Sequence, residues 1–256
     1  MSAMHRWLLS LAATAVAVVV SYEWLDRPIA LLMHREFPHP EAFEKLTHIP
    51  DPLVPLAVIG FVVLGLRALA GRSASRFETA LLLCSVSLIM AEAIKSQLKF
   101  VFGRTWPDTW THNNPSLIHD GVFGFNFFHG GEGFASFPSG HTTVTCAVVS
   151  VLWIFYPRLK ALWLLIAVAV AVGLVGADYH FLGDVLGGAF VGVSTGWMVT
   201  LLWNRARVFL PGSGHRGSTR PEADAHRLKQ SPSVGSRRGG DPEPKNENAG
   251  FPLTRE

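Results

Sequence analysis

Apolar residues fall along this chain in long blocks separated by short polar stretches. Six blocks approach the roughly 20 apolar residues that a membrane-spanning helix needs: 7–25, 52–71, 78–98, 140–157, 161–178 and 183–203. The last two are the cleanest, since Ala161 to Ala177 and Val185 to Trp203 carry no charge. The third is uncharged only from Thr79 to Ala91, after which Glu92, Lys95 and Lys99 follow on one helical stripe. Its outer end therefore faces protein or water. The pattern predicts an all-α, polytopic membrane helix bundle of about six transmembrane helices over residues 1–211. Residues 27–51 mix an apolar run with His and acids and read either as a short interfacial helix or as a linker.

Composition sharpens this picture at one place. Of the 256 residues 49% are hydrophobic and only 16% charged, against about 25% charged in an ordinary soluble domain. Residues 212–256 hold 8 Lys or Arg and 6 Asp or Glu among Pro, Gly and Ser. That stretch has too little apolar surface to fold and is expected to be a disordered cytoplasmic tail. The net charge of +3 is spread thinly, so there is no basic face for nucleic acid. Cys84 and Cys146 both lie in apolar blocks and imply no disulfide framework.

Lys and Arg concentrate in cytoplasmic loops. Arg6, Arg67, Arg72, Arg76, Arg158, Lys160, Arg205 and Arg207 fall on one side of a six-span layout. The expected orientation puts both termini in the cytoplasm and residues 99–140 and 178–184 on the extracytoplasmic face of the cell membrane. The first block ends at Tyr22 and Trp24, interfacial residues rather than a small-residue cleavage site, and is read as a retained anchor.

Ionisable groups at span ends mark functional sites, and three such places share that face. Pro138-Ser139-Gly140-His141 opens the fourth span. The free N–H groups of that helix start form an anion site, and His141 in its first turn is placed to move a proton. His180 and Asp184 are four residues apart, on one face of a helix start, where the carboxylate can fix the imidazole tautomer. Lys99 and Arg104 supply positive charge where the third span ends. Each has a plainer reading as a cap, a satisfied histidine or a snorkelling cation. Their sharing one face favours a site. His180 and Asp184 have no third metal ligand at an obvious spacing, so no metal is expected.

In this order these blocks resemble the type 2 phosphatidic acid phosphatase family, the membrane branch of the superfamily that includes vanadium haloperoxidases. That family carries Lys, six residues, Arg-Pro; then Pro-Ser-Gly-His; then Ser-Arg, five residues, His, three residues, Asp. Lys99 and Pro107, Pro138 to His141, and His180 and Asp184 match. The resemblance implies a membrane lipid phosphatase acting on a lipid monophosphate or diphosphate. His180 would attack phosphorus, Asp184 would orient it and His141 would protonate the leaving oxygen. Lys99, Ser139 and Gly140 would hold the phosphoryl oxygens, without a metal or other cofactor. Partners are then the lipid phosphate and membrane lipid, and six spans suffice to enclose a site in a monomer.

Two family arginines are missing: Trp106 stands before Pro107, and Gly173-Leu174 replaces Ser-Arg. Arg104 is the expected substitute phosphate ligand, with Lys95, His112, His119 and His129 behind it. The same departures raise two alternatives. One is a lipid phosphotransferase like the sphingolipid synthases, to which Gly140-His141-Thr142 and His180 to Asp184 would correspond. The other is a non-catalytic membrane protein that kept the fold.

Overall fold

The computed structural model describes residues 2–209, except 39, 111 and 112, all within one unit, Met1–Ser213. The segment 212–256 and His112 lie outside the described residues. Among those described there is no strand, only helices and three isolated bridges in the loops.

Each apolar block becomes a helix. α1 (Ala3–Val20) runs through a π turn (Ser21–Leu25) into α2 (Asp26–Glu36), and α3 (Glu41–Thr47) follows. Then come α4 (Leu53–Leu69), α5 (Arg76–Phe102), the short α6 (Leu117–Asp120), α7 (Gly140–Phe155), α8 (Lys160–Gly176) and α9 (Leu182–Phe209). Ala3–Glu36, Arg76–Phe102, Pro157–Gly176 and Leu182–Ala206 are long and apolar enough to cross a membrane, and α4 and α7 are shorter apolar helices. Leu9, Val16, Ile59, Val62, Leu164, Leu165 and Val193 are among the large apolar side chains left on the outside. A belt of that kind is a lipid-facing surface, and the chain is a multi-pass membrane protein.

The first helix departs from expectation. It does not stop near residue 25 but continues to Glu36. The π turn lets Ser21 Oγ donate to Asp26 Oδ1 at 2.6 Å, and both residues are buried. An inserted residue of this type often marks a functional place in a helix. The 27–51 stretch thus resolves into the body of α2, α3 and a turn. α3 is docked on α8, where a Cβ at Gly173 would lie 2.7 Å from Leu46 and one at Gly176 2.5 Å from the Phe43 ring.

The centre of the bundle is α5, α7 and α9, with α4 against α5, α1 against α9 and α8 against α7. Its closest approach is made by Gly188, Gly192 and Gly196 of α9. A Cβ on Gly192 would fall 2.3 Å from Thr143 O, and one on Gly196 2.6 Å from Ala147 O. Small residues four apart let two membrane helices meet backbone to backbone. Leu83, Cys84, Val151 and Val199 fill one end of this core; Ala57, Leu88 and Val144 form a second cluster.

Candidate active site

The site is built from four chain segments that meet at one end of the bundle. α5 ends at Gly103, whose left-handed backbone (φ 54°) turns the chain sharply; a Cβ there would lie only 1.9 Å from Asn126 O. That turn aims Arg104 inward. α7 starts at Ser139, whose Oγ accepts from Thr142 N–H at 3.4 Å, while Ser139 N–H donates to Asp184 O at 3.0 Å. The second bond ties the start of α7 to the first turn of α9. With Thr142 capped, the amides of Gly140 and His141 are left with no acceptor inside the helix.

His180 sits in the connection from α8 to α9 and is only 5% exposed. Its Nδ1 lies 3.4 Å from Asp184 Oδ2 and 3.4 Å from Ser136 Oγ. Both contacts are long for hydrogen bonds. Asp184 is completely buried and accepts from Ser136 Oγ at 2.6 Å, Phe181 N–H at 3.0 Å and Arg104 Nη1 at 2.6 Å. Taking the Nδ1 proton toward Asp184 leaves Nε2 as the free nitrogen. Burial drives the His180 pKa down to about 4, against the opposing pull of Asp184, with Lys99 and His141 pushing it lower still. The imidazole is therefore neutral at pH 7 and its lone pair is available.

A cavity of about 690 Å³ opens beside His180. Lys99, Gly140, His141 and His180 line it together with Asp51, Glu92, Lys95, Trp106, Trp110 and Tyr179. Four of the seven expected site residues thus share one space, with Asp184 directly behind His180. His141 Nε2 lies 3.5 Å from Asp51 Oδ1, a carboxylate that also takes His48 Nδ1 at 2.7 Å. Lys99 Nζ lies 5.5 Å from the centre of the Trp106 ring, within reach of a cation–π attraction.

Two expected phosphate ligands stand elsewhere. Ser139 is fully buried, and its hydroxyl and amide are committed to capping and to Asp184 O. Arg104 is also fully buried and absent from the cavity wall. Its Nη1 goes to Asp184 and its Nη2 to Asp26 Oδ2 at 2.5 Å, while the rings of Tyr22, Phe123, Phe125 and Phe181 enclose it at 4.4 to 5.4 Å. Burial alone would weaken its hold on the proton, but Asp184 and Asp26 outweigh that and raise its pKa. Asp26 in turn accepts from Ser21 Oγ and from Gly183 N–H at 2.9 Å. Arg104 is a bracket between the first helix and Asp184, where two carboxylates are a stronger claim than a distant phosphate.

The two positions where arginines are missing are both packed. Leu174 is completely buried among Val170 and Val185, and its carbonyl accepts from the Tyr179 and His180 N–H groups at 3.0 and 3.1 Å. The Trp106 ring lies against His180, and its Nε1 donates to Glu132 O at 2.8 Å. Of the other cation candidates among the described residues, Lys95 lines the cavity, whereas His119 and His129 do not. Sequence reading passed over Asp26, Asp51 and Ser136 as participants. Ser136, three residues before Ser139, carried the best available signal, since a polar residue entering the anion motif is in reach of the same helix end.

The model of the PAP2 superfamily matches residues 80–207, half of the chain. The chain is 29% identical over 116 residues to a lipid A 1-phosphatase of Rhizobium etli, a match covering 45% of each. It is 27% identical over 120 residues to a lipid A 1-phosphatase of Rhizobium johnstonii, covering 46% of each. The match thus spans about half the length of these curated relatives. Among solved structures, a transmembrane PAP2-type phosphatidylglycerolphosphate phosphatase from Bacillus subtilis aligns with a TM-score of 0.49 at 19% identity, over 80% of this chain and 98% of that one.

Proposed function

The chain belongs to the PAP2 superfamily, and from that premise we propose that it hydrolyses the phosphate of a membrane lipid through a phosphohistidine. The observation that carries the reading is the convergence of His180, His141, Lys99 and Gly140 on one cavity, with Asp184 behind His180. In the first step the His180 Nε2 lone pair forms an N–P bond as the P–O bond to the lipid breaks. His141 gives its proton to the departing oxygen. Water then attacks phosphorus, His141 takes a proton from it, and the N–P bond breaks to release inorganic phosphate. Lys99 and the Gly140 and His141 amides hold the phosphoryl oxygens as charge builds on them.

The curated relatives' names make lipid A phosphorylated at its 1-position the first substrate to test. The reading extends to a six-span body over 1–211, both termini in the cytoplasm and the site at the extracytoplasmic headgroup level. The Lys and Arg pattern supports that orientation. A cavity beside the bundle's end lets a lipid keep its chains in the bilayer while its phosphate meets His180.

The test is phosphate release by detergent-solubilised protein from lipid A 1-phosphate, phosphatidic acid and a polyprenyl diphosphate, with and without EDTA. Release that resists EDTA, disappears in His180→Ala and passes through an acid-labile phosphoenzyme is expected. Normal turnover by His180→Ala overturns the nucleophile. A second reading, transfer of the phosphoryl group to an alcohol, is favoured by Trp106 standing at the arginine position. Adding acceptor lipids separates the two, since a transferase forms a phosphate monoester of the acceptor and frees little phosphate.

A further inference from the structure

The cavity lacks both arginines of the family pattern, and Arg104 is committed to Asp26 and Asp184. A phosphate monoester brings close to two negative charges, which Lys99 alone does not balance. Resting on the hydrolase reading above, we propose that Lys95 is the second phosphate-holding cation, and that it reaches phosphate by turning away from Glu92, the carboxylate it is paired with in the structure.

Three observations support this. Lys95 precedes Lys99 by one helical turn on α5, so both side chains leave the helix on the same side, and both line the cavity. The Lys95 ammonium lies at the opening turn of α7, since a Cβ on Gly140 would be only 3.3 Å from Nζ. The uncapped amides of Gly140 and His141 belong to that same turn. A cation beside the positive end of a helix is repelled unless an anion sits there too. Finally, Lys95 Nζ donates to both oxygens of Glu92, at 2.8 and 2.7 Å. Glu92 thus supplies a negative charge beside that helix end. A phosphate held by the two amides supplies more of it, nearer the helix end. Lys suits the exchange because its ammonium is compact and its stem flexible.

The exchange makes a prediction of sign. If Glu92 competes with phosphate for Lys95, removing its charge tightens phosphate binding, whereas removing the Lys95 charge weakens it. A pair that serves only to stabilise α5 gives both variants the same sign. Side-chain exposures of 16% for Lys95 and 33% for Glu92 leave room for substitution without collapse of the core.

The experiment measures the Kd of inorganic phosphate, by phosphorus NMR titration of the full chain in detergent, alongside KM for lipid A 1-phosphate and the thermal unfolding midpoint. Lys95→Met is expected to raise Kd and KM roughly ten- to hundredfold, as for one lost charge-assisted hydrogen bond. Glu92→Gln is expected to lower Kd by about two- to tenfold, a fraction of the same bond's worth. In the Lys95→Met background, Glu92→Gln changes nothing, and Lys95→Arg keeps most of the affinity. An unchanged Kd in Lys95→Met, or weaker binding in Glu92→Gln, overturns the assignment. Turnover failing on every lipid while the Kd pattern holds supports Lys95 and counts only against the hydrolase reading. Normal turnover with a flat Kd pattern does the reverse.

Discussion

The Trp106 indole lies against the His180 imidazole with ring centroids 5.2 Å apart and planes 39° from parallel. The residue that stands at the family's arginine position is thus a wall for the His180 ring. Trp106→Phe keeps that wall and is expected to hold kcat within about threefold, since the packing face survives. Trp106→Ala frees the ring to tilt and is expected to cut kcat tenfold or more with a smaller change in KM, because misplaced reacting groups lose rate before affinity. Steady-state kinetics on both variants decide it.

Removing Arg104 leaves Asp26 and Asp184 buried without a counter-charge. Breaking a buried pair costs roughly 3–5 kcal/mol. Arg104→Met is therefore expected to lower the unfolding midpoint sharply and to abolish activity, whereas Lys99→Met weakens phosphate binding and leaves the midpoint nearly unchanged. An Arg104→Met protein of normal stability, deficient only in phosphate binding, would restore Arg104 to the phosphate.

His180 titrates at about 4 in the fold against 6.5 unfolded. A depressed histidine contributes stability that is complete above pH 6.5 and lost as pH falls toward 4. The shift corresponds to on the order of 3 kcal/mol. Unfolding midpoints from pH 8 to pH 4 should therefore fall more steeply for the wild type than for His180→Gln. The acid limb of activity between pH 7 and pH 5 belongs to groups other than His180, so kcat/KM should show no break there from loss of the neutral nucleophile.

A methyl group at Gly192 has nowhere to go, since a Cβ would meet Thr143 O at 2.3 Å and Ala147 N at 2.8 Å. Gly192→Ala is expected to force α7 and α9 apart and cost roughly 1–3 kcal/mol. Gly65 on α4 has nothing within 4 Å of its would-be Cβ. Gly65→Ala should leave the midpoint unchanged or slightly higher. Thermal unfolding of the two variants side by side checks the contrast.

Reading the sequence located the six apolar helices because burial in lipid is written into composition over long windows. Lys99, His141, His180 and Asp184 were legible as site candidates because each lies at a span end, where an ionisable group needs a reason. Three things were not legible. Arg104 follows a left-handed Gly103, and spacing along the chain does not say which way a side chain points after such a turn. Asp26 meets Gly183 across 157 positions, a contact that no local pattern encodes. Asp51 looked like one acid among several in a polar stretch, and only the docking of α3 and α4 brings it to His141. The packing of Gly188, Gly192 and Gly196 on α7 was not legible either, because small residues on one helix do not say which neighbour they meet.

The bracket formed by Asp26, Arg104 and Asp184 also fastens the first helix to the last described one. Its first carboxylate is at the start of α2 and its second in the first turn of α9, with Gly183 closing the ring onto Asp26. Arg104 follows Asp26 by 78 positions and precedes Asp184 by 80, so it joins segments remote from each other in the chain. The carboxylate beside His180 is therefore held in place by the packing of α9 against the first helix.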